Sequence, residues 1–236
     1  MNVAIVQARM GSSRLPGKVM LDLNGQPVLA HVLARARAIP GLDAVCCAIP
    51  EGPDNDALAD LAQSLGASVA RGPEQDVLAR YVLAARSSGA QVVMRITSDC
   101  PLLDPEVSGQ VLAAFLETRP AYCSNIEPRS WPRGYDTEVF SAETLERAAR
   151  EAREPREREH VTPWLREHTR LERRNVALEK HGFSDWRWTL DYAQDLEFMR
   201  AVLSRLPPFP HLPAFAELSA VVEQNPQLAA INADLE

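Results

Sequence analysis

No apolar run in this 236-residue chain approaches the roughly 20 residues needed to cross a bilayer. The first residues enter a strand-like pattern at once, without the layout of a signal peptide. Both absences lead us to expect a cytoplasmic protein with no membrane partner. An excess of positive charge is also missing. Against 25 Lys and Arg stand 32 Asp and Glu, a net charge of −7, so no protein-wide field attracts nucleic acid or anionic lipid. We therefore expect no nucleic-acid partner, and any anion site must be a local basic island. Cysteine is scarce: Cys46, Cys47, Cys100 and Cys123 form no C-x-x-C pair and have no His at zinc-ligand spacing. They read as free thiols acting as small core hydrophobes. Internal repeats and low-complexity tracts are absent as well.

What is present is ordinary for a folded protein. The hydrophobic share of 46% and charged share of 24% exclude collagen-like, disordered and coiled-coil classes. The length suffices for a sizeable core without staples. We read residues 1–236 as one main domain, with 121–185 as an acceptor-side or oligomerisation insertion.

Apolar patterning alternates strand and helix through the first half. Strands are expected at 3–8, 44–49, 68–70 and 91–96, and helices at 27–38, 54–65 (Asp54 as cap), 75–87 and 105–117. This alternation implies an α/β fold with a mostly parallel, mixed central sheet covered by helices on both faces. After Pro120 the texture changes. Short strands are expected at 121–124 and 137–140, joined by a loop carrying Pro128, Pro132 and Gly134. Residues 142–169 are dense in Glu and Arg and read as solvated helices. A last strand at 187–191 and helices at 193–206 and 214–223 complete the pattern, with Pro207, Pro208 and Pro210 breaking the chain between those helices.

The run Ala8-Arg9-Met10-Gly11-Ser12-Ser13-Arg14-Leu15-Pro16-Gly17-Lys18 directly follows the first strand. Phosphate oxygens require N–H donors and positive charge. Gly11 and Gly17 allow close backbone approach, and Arg9, Arg14 and Lys18 can neutralise a polyphosphate. Doubly wound folds bind nucleotides at this place. The run is not a Walker A loop, because five residues separate Gly11 from Gly17 and Val19 follows the lysine; no G-x-G-x-x-G occurs either.

The run resembles the first motif of the cytidylyltransferases that activate acidic sugars, the CMP-sugar synthetases, and especially their spore-coat polysaccharide biosynthesis branch. The likeness continues through Thr97-Ser98-Asp99-Cys100-Pro101-Leu102-Leu103-Asp104-Pro105, similar to the family's acidic motif in which an aspartate holds Mg²⁺. Asp99 matches it, and Ser98 stands where the branch commonly has glycine. Trp188-Thr189-Leu190-Asp191-Tyr192 is similar to the late motif whose strand-end aspartate completes the metal site. Asp191 matches that ligand, while Asp195 reads as helical structure. Arg71-Gly72-Pro73-Glu74-Gln75-Asp76-Val77-Leu78-Ala79-Arg80-Tyr81 resembles the segment bordering the base pocket.

The resemblance implies a Rossmann-like nucleotidyltransferase fold and Mg²⁺-dependent transfer of CMP from CTP to an acidic sugar, with release of pyrophosphate. Its implied catalytic residues are Lys18, Arg14 and Asp99, with Asp99 and Asp191 on the metal. Implied nucleotide contacts are Arg9, Gly11, Ser12, Ser13, Arg14, Lys18, Arg71, Asp76, Arg80 and Ser98. Asn125, Arg133, Tyr135 and Asp136 are implied to meet the acceptor, and a homodimer is implied as the assembly. Asp76 and Arg80 also read as helix-start chemistry, with Arg80 paired four residues after Asp76; Arg158-Glu159-His160-Val161-Thr162-Pro163 also resembles a family segment, yet Glu159 and His160 read as structural or subunit-contact residues, and Trp186 and Trp188 as core or interface. Two other functions stay open: transfer from another nucleotide or to a phosphonate or polyol acceptor, and non-catalytic binding of a nucleotide or partner.

Overall fold

The computed structural model describes residues 1–168, 170–179 and 182–235. Thr169 of the charged stretch, and Lys180 and His181 within 121–185, lie outside them. The strands are β1 (Asn2–Gln7), β2 (Asp22–Leu23), β3 (Gln26–Pro27), β4 (Ala44–Pro50), β5 (Ser68–Gly72), β6 (Val92–Thr97), β7 (Tyr122–Ser124), β8 (Glu138–Ser141) and β9 (Arg173–Asn175). The helices are α1 (Val28–Ala38), α2 (Asp56–Ser64), α3 (Val77–Ser87), α4 (Pro105–Thr118), α5 (Ala142–Glu151), α6 (Pro155–His160), α7 (Pro163–Glu167), α8 (Ala193–Leu203), α9 (Phe215–Gln224) and α10 (Pro226–Ala229).

Seven strands form one sheet in the order β5-β4-β1-β6-β8-β7-β9, and β2 pairs with β3 in a small hairpin. β1 runs parallel to both β4 and β6, and β4 parallel to β5. β8 then runs antiparallel to β6, giving the mixed sheet that the alternation implied. Alternate residues explain why both faces are covered. Ala4 and Val6 of β1 enter one core with Leu29 and Val32 of α1, Leu58 of α2 and Phe115 of α4. Val3 and Ile5 point the other way, into a core with Leu78 and Tyr81 of α3 and Trp164 of α7. All four cysteines are buried and free, as expected.

Local chemistry sets the helix starts. The Asp76 carboxylate accepts from the Ala79 N–H at 2.9 Å, and that of Asp104 from Glu106 N–H at 2.8 Å, with Pro105 at the first helical position. Asp54 is not the cap expected for α2: it lies in a short 3₁₀ turn, Pro53–Asn55, and Asn55 occupies the cap position.

One further expectation is corrected. Residues 187–191 are not a sheet strand; Arg187 makes an isolated bridge with Arg133. The Trp188 N–H donates to Arg133 O at 2.7 Å and the Arg133 N–H to Trp186 O at 2.9 Å, so this segment pairs with the proline-bearing loop. β9 fills the sheet edge instead, parallel to β7. The 121–185 segment thus continues the central sheet with β7, β8 and β9. Trp188 is 1% exposed in a third core with Trp131, Tyr135, Leu190 and Phe198, which bears out its reading as a core residue.

A charged pair crosses the sheet under this second half. Arg95 of β6 is ion-paired with Glu138 of β8, whose other oxygen accepts from the Tyr122 hydroxyl at 2.6 Å. Burial pushes the Glu138 carboxyl up, but Arg95 and the donors around it outweigh that and hold it below its ordinary range.

Candidate active site

The parallel strands β1 and β6 end side by side, where strand order reverses and doubly wound sheets place their ligands. A cleft of about 370 Å³ opens there. Its walls include Gln7 and Thr97 at the two strand ends, Arg9, Ser12, Ser13, Arg14 and Lys18 from the loop, and Ser98, Asp99 and Asp191 opposite.

The basic loop closes on itself. Met10 O accepts from Ser12 N–H at 2.9 Å and from Gly17 N–H at 3.0 Å, and Asn55 Oδ1 holds Met10 N–H at 3.2 Å. Gly17 sits at φ +66°, where a side chain is strained, and this turn launches the short helical turn carrying Lys18. Lys18 Nζ then lies 3.0 Å from Asp191 Oδ1 and 3.4 Å from Asp99 Oδ2, and donates to Leu190 O at 2.7 Å. Arg14 reaches the same Asp191 oxygen at 3.0 Å and packs over the Tyr192 ring. The two aspartate loops are tied through backbone as well, because the Leu190 N–H donates to Asp99 O at 2.8 Å.

Asp191 is a carboxylate among cations. Burial raises its pKa, but Lys18, Arg14 and Arg187 outweigh that and hold it below its ordinary range. Two carboxylate oxygens within reach of one lysine nitrogen converge on one point. That donor set fits a hard divalent cation that takes one or two carboxylates and completes its shell with phosphate oxygens and water. It does not make an all-protein cage: among the described residues no group of three or more His, Cys, Asp or Glu could hold a metal.

Of the other nucleotide candidates, Arg80 lines the cleft but is 2% exposed, and its guanidinium donates to Pro73 O at 2.8 Å and Glu74 O at 3.2 Å. It braces the loop before α3. Asp76 caps α3 and pairs with Arg158 of α6 at 3.0 Å, so the expected Asp76 and Arg80 pairing is replaced. Arg71 pairs with Asp56 at 2.6 Å, and Gly11 lies near Glu74; neither lines the cleft.

The acceptor candidates do not gather on the cleft wall. Asn125 is 1% exposed and bridges backbone, donating to Tyr135 O at 2.7 Å and accepting from Thr137 N–H at 2.9 Å. Tyr135 is fully buried in the aromatic core beside Trp131, Trp188 and Phe215. The Arg133 side chain is exposed, and it is Arg129, missed from sequence, that clasps Asp136 at 2.6 and 2.9 Å. Asp136 lies near the turn after Asp99: burial raises the Cys100 thiol's pKa, and the charges of Asp99 and Asp136 raise it further.

Sequence reasoning also set Glu159 and His160 aside, yet both line the cleft. They precede Val161, a fully buried residue at φ 71° and ψ −53°, where Thr162 N–H donates to His160 O at 2.8 Å. This γ-turn is strained for a β-branched residue. The signal available was the segment Arg158-Glu159-His160-Val161-Thr162-Pro163 within an otherwise surface-like charged stretch.

Residues 3–208 match the cytidylyltransferase family. Spore coat polysaccharide biosynthesis protein SpsF of Bacillus subtilis is 31% identical over 232 residues, 95% of each chain. Among solved structures, a cytidylyltransferase from Leptospira borgpetersenii is similar at TM-score 0.91 and 30% identity over 97% of each chain. CMP:2-keto-3-deoxy-manno-octonic acid synthetase complexed with CTP has the same fold at TM-score 0.68 and 18% identity, covering 87% of this chain and 99% of that one. With a family match from the first strand to beyond α8 and a near full-length likeness in fold, this chain belongs to the cytidylyltransferase family and is a nucleotidyltransferase with the Rossmann-like fold of that group.

Proposed function

We propose that this protein transfers CMP from CTP to a hydroxyl of an acidic sugar, with a divalent cation, Mg²⁺, as cofactor. The observation that carries the reading is the convergence of Lys18, Asp99 and Asp191 at the strand ends. CTP as the nucleotide draws support from the synthetase complexed with CTP, and a role in polysaccharide biosynthesis from the Bacillus subtilis relative's name.

In this reading the loop residues Arg9, Ser12, Ser13 and Arg14 bind the triphosphate. Lys18 turns from the carboxylates toward the phosphates and offsets charge that builds on pyrophosphate as it departs. Asp99 and Asp191 would hold the cation, which neutralises phosphate charge and orients the α-phosphate when bound. The acceptor oxygen forms a bond to the α-phosphorus, the bond from that phosphorus to the β-phosphate's bridging oxygen breaks, and the hydroxyl proton passes to water. Ser98 and Arg80 border the nucleotide side. Asp136, with its partner Arg129, belongs to the acceptor side of the same reading, as do the 121–185 segment and assembly as a homodimer.

Thermal melts with CTP, UTP, ATP and GTP, each with and without Mg²⁺, test this directly, because a ligand that binds the native state raises its stability. A Mg²⁺-dependent shift selective for CTP is expected, followed by pyrophosphate release when acidic sugars are added. Selectivity for another nucleotide, or no shift with any, would overturn the assignment.

A further inference from the structure

Asp195 is fully buried, and both its oxygens accept hydrogen bonds. Oδ2 accepts from the backbone N–H groups of Asp191 at 2.8 Å and Tyr192 at 2.9 Å, which sets the turn that presents Asp191. Oδ1 accepts from Arg187 Nε at 2.9 Å and from Asn232 Nδ2 at 2.9 Å. Asn232 is 3% exposed, and its amide also donates to Arg187 O at 3.0 Å. It lies beyond residue 208, where the family match ends.

Arg187 faces two carboxylates. It meets Asp195 through Nε and Nη2, at 2.9 and 3.1 Å, and reaches Asp191 Oδ2 through Nη2 at 3.2 Å. Asp195 therefore offsets Arg187 charge through two hydrogen bonds. Asp191 keeps its negative charge and is anchored by one oxygen, while its other oxygen, Oδ1, meets Lys18 and Arg14 at 3.0 Å each. Without Asp195, the turn would lose both backbone anchors.

We propose that Asp195 is the positioning residue for Asp191, and that Asn232 from the C-terminal segment completes the clamp by holding Asp195 and Arg187 together. The inference rests on the reading that Asp191 serves the metal-bound nucleotide. It adds that residues outside the matched family region tune how well this chain binds it.

Calorimetric titration of Mg²⁺ into the full-length protein with CTP, together with hydrogen exchange at the Asp191 and Tyr192 amides, tests the clamp. In Asp195→Asn the Mg²⁺ concentration for half-maximal binding should rise about tenfold or more, the range typical of losing a partner that orients a metal ligand. Asn232→Ala, a milder change that does not touch the cleft, should shift the Mg²⁺ requirement in the same direction and speed exchange at both amides. Asn232→Asp, which sets a carboxylate against Asp195, should be at least as damaging as Ala, and metal-free CTP binding should not change in any of them. A wild-type Mg²⁺ requirement in Asp195→Asn and Asn232→Ala, with Asp191→Asn impaired, would refute the clamp alone. A wild-type requirement in Asp191→Asn would overturn the underlying reading and the clamp with it.

Discussion

Lys18 and Asp191 meet at 3.0 Å although 173 positions of chain separate them. Nothing local brings them together. A glycine turn after β1 delivers the lysine, and a loop tied to Asp99 by a backbone hydrogen bond delivers the aspartate. Asp99 completes the arrangement at 3.4 Å, so one cation stands between two carboxylates at the mouth of the sheet.

Replacing Lys18 with Ala should lower turnover by about 10²–10³-fold, the usual effect of removing one preorganised charge partner from a transition state. The melting temperature should fall as well, because the side chain is only 12% exposed and pairs with both Asp99 and Asp191. Steady-state kinetics beside a thermal melt separate the two effects, and wild-type turnover would sink the assignment of Lys18.

Asp191 makes stability depend on acid. Its folded-state pKa lies below its ordinary value, despite the upward push of burial, because Lys18, Arg14 and Arg187 surround it. Ionised Asp191 therefore contributes stability above about pH 4, and the contribution fades as pH falls through the lower folded value. Asp191→Asn should melt below wild type at pH 7, with the gap closing on acidification past about pH 4. Melts from neutral pH down to pH about 3 check this; a gap that does not narrow contradicts it.

The Arg95 and Glu138 pair should behave as a buried ion pair whose halves need each other. Side-chain exposures are 14% and 2%. Glu138→Gln leaves an uncompensated buried guanidinium and should cost about 3–5 kcal/mol in urea unfolding. Tyr122→Phe removes a hydrogen bond to the charged acceptor, a loss of about 1.5–3 kcal/mol. The double variant Arg95→Met with Glu138→Leu should recover much of the Glu138→Gln loss, and a double variant no better than that single one would contradict the ion-pair account.

Gly134 is a steric requirement. At φ +108° an added Cβ would lie 2.4 Å from Trp188 O, so the proline-bearing loop could not keep its bridge to the 186–188 segment. Gly134→Ala should cost about 1–3 kcal/mol from backbone strain alone, and more from the clash. Near-ultraviolet circular dichroism of the Trp131, Tyr135 and Trp188 cluster should change with it, and turnover should fall because Trp188 lies three residues before Asp191.

Much of this was legible in one dimension. Alternating apolar segments placed β1, β4 and β6 and the helices between them, because a strand buried on both faces leaves a continuous apolar run. Arg9, Arg14 and Lys18 stood out as a basic island in an acidic chain, and Asp99 and Asp191 as acids at apparent strand ends. The second half was harder to read. Residues 187–191 carry a strand-like pattern, yet they pair with a loop, since burial of Trp188 and Leu190 can be met by the third core as well as by a sheet. β9, with its sequence Arg-Arg-Asn, has no apolar signal at all because it lies at an edge.

Side-chain partners were the least legible. Arg80 looked like a phosphate contact or an Asp76 partner and turned out to brace carbonyls, while Arg129 took Asp136 and Arg158 took Asp76. Charge type is a property of composition, but the choice of partner depends on positions tens of residues apart in the chain. By itself, the sequence determined the α/β alternation, the basic loop after β1 and the acids available to face it, since these follow from periodicity and local chemistry. Only the tertiary structure decided that Asp99 and Asp191 share Lys18, that Glu159 and His160 border the cleft, and that Asn232 supports Asp195, because each is a contact made by packing rather than by neighbours in the chain.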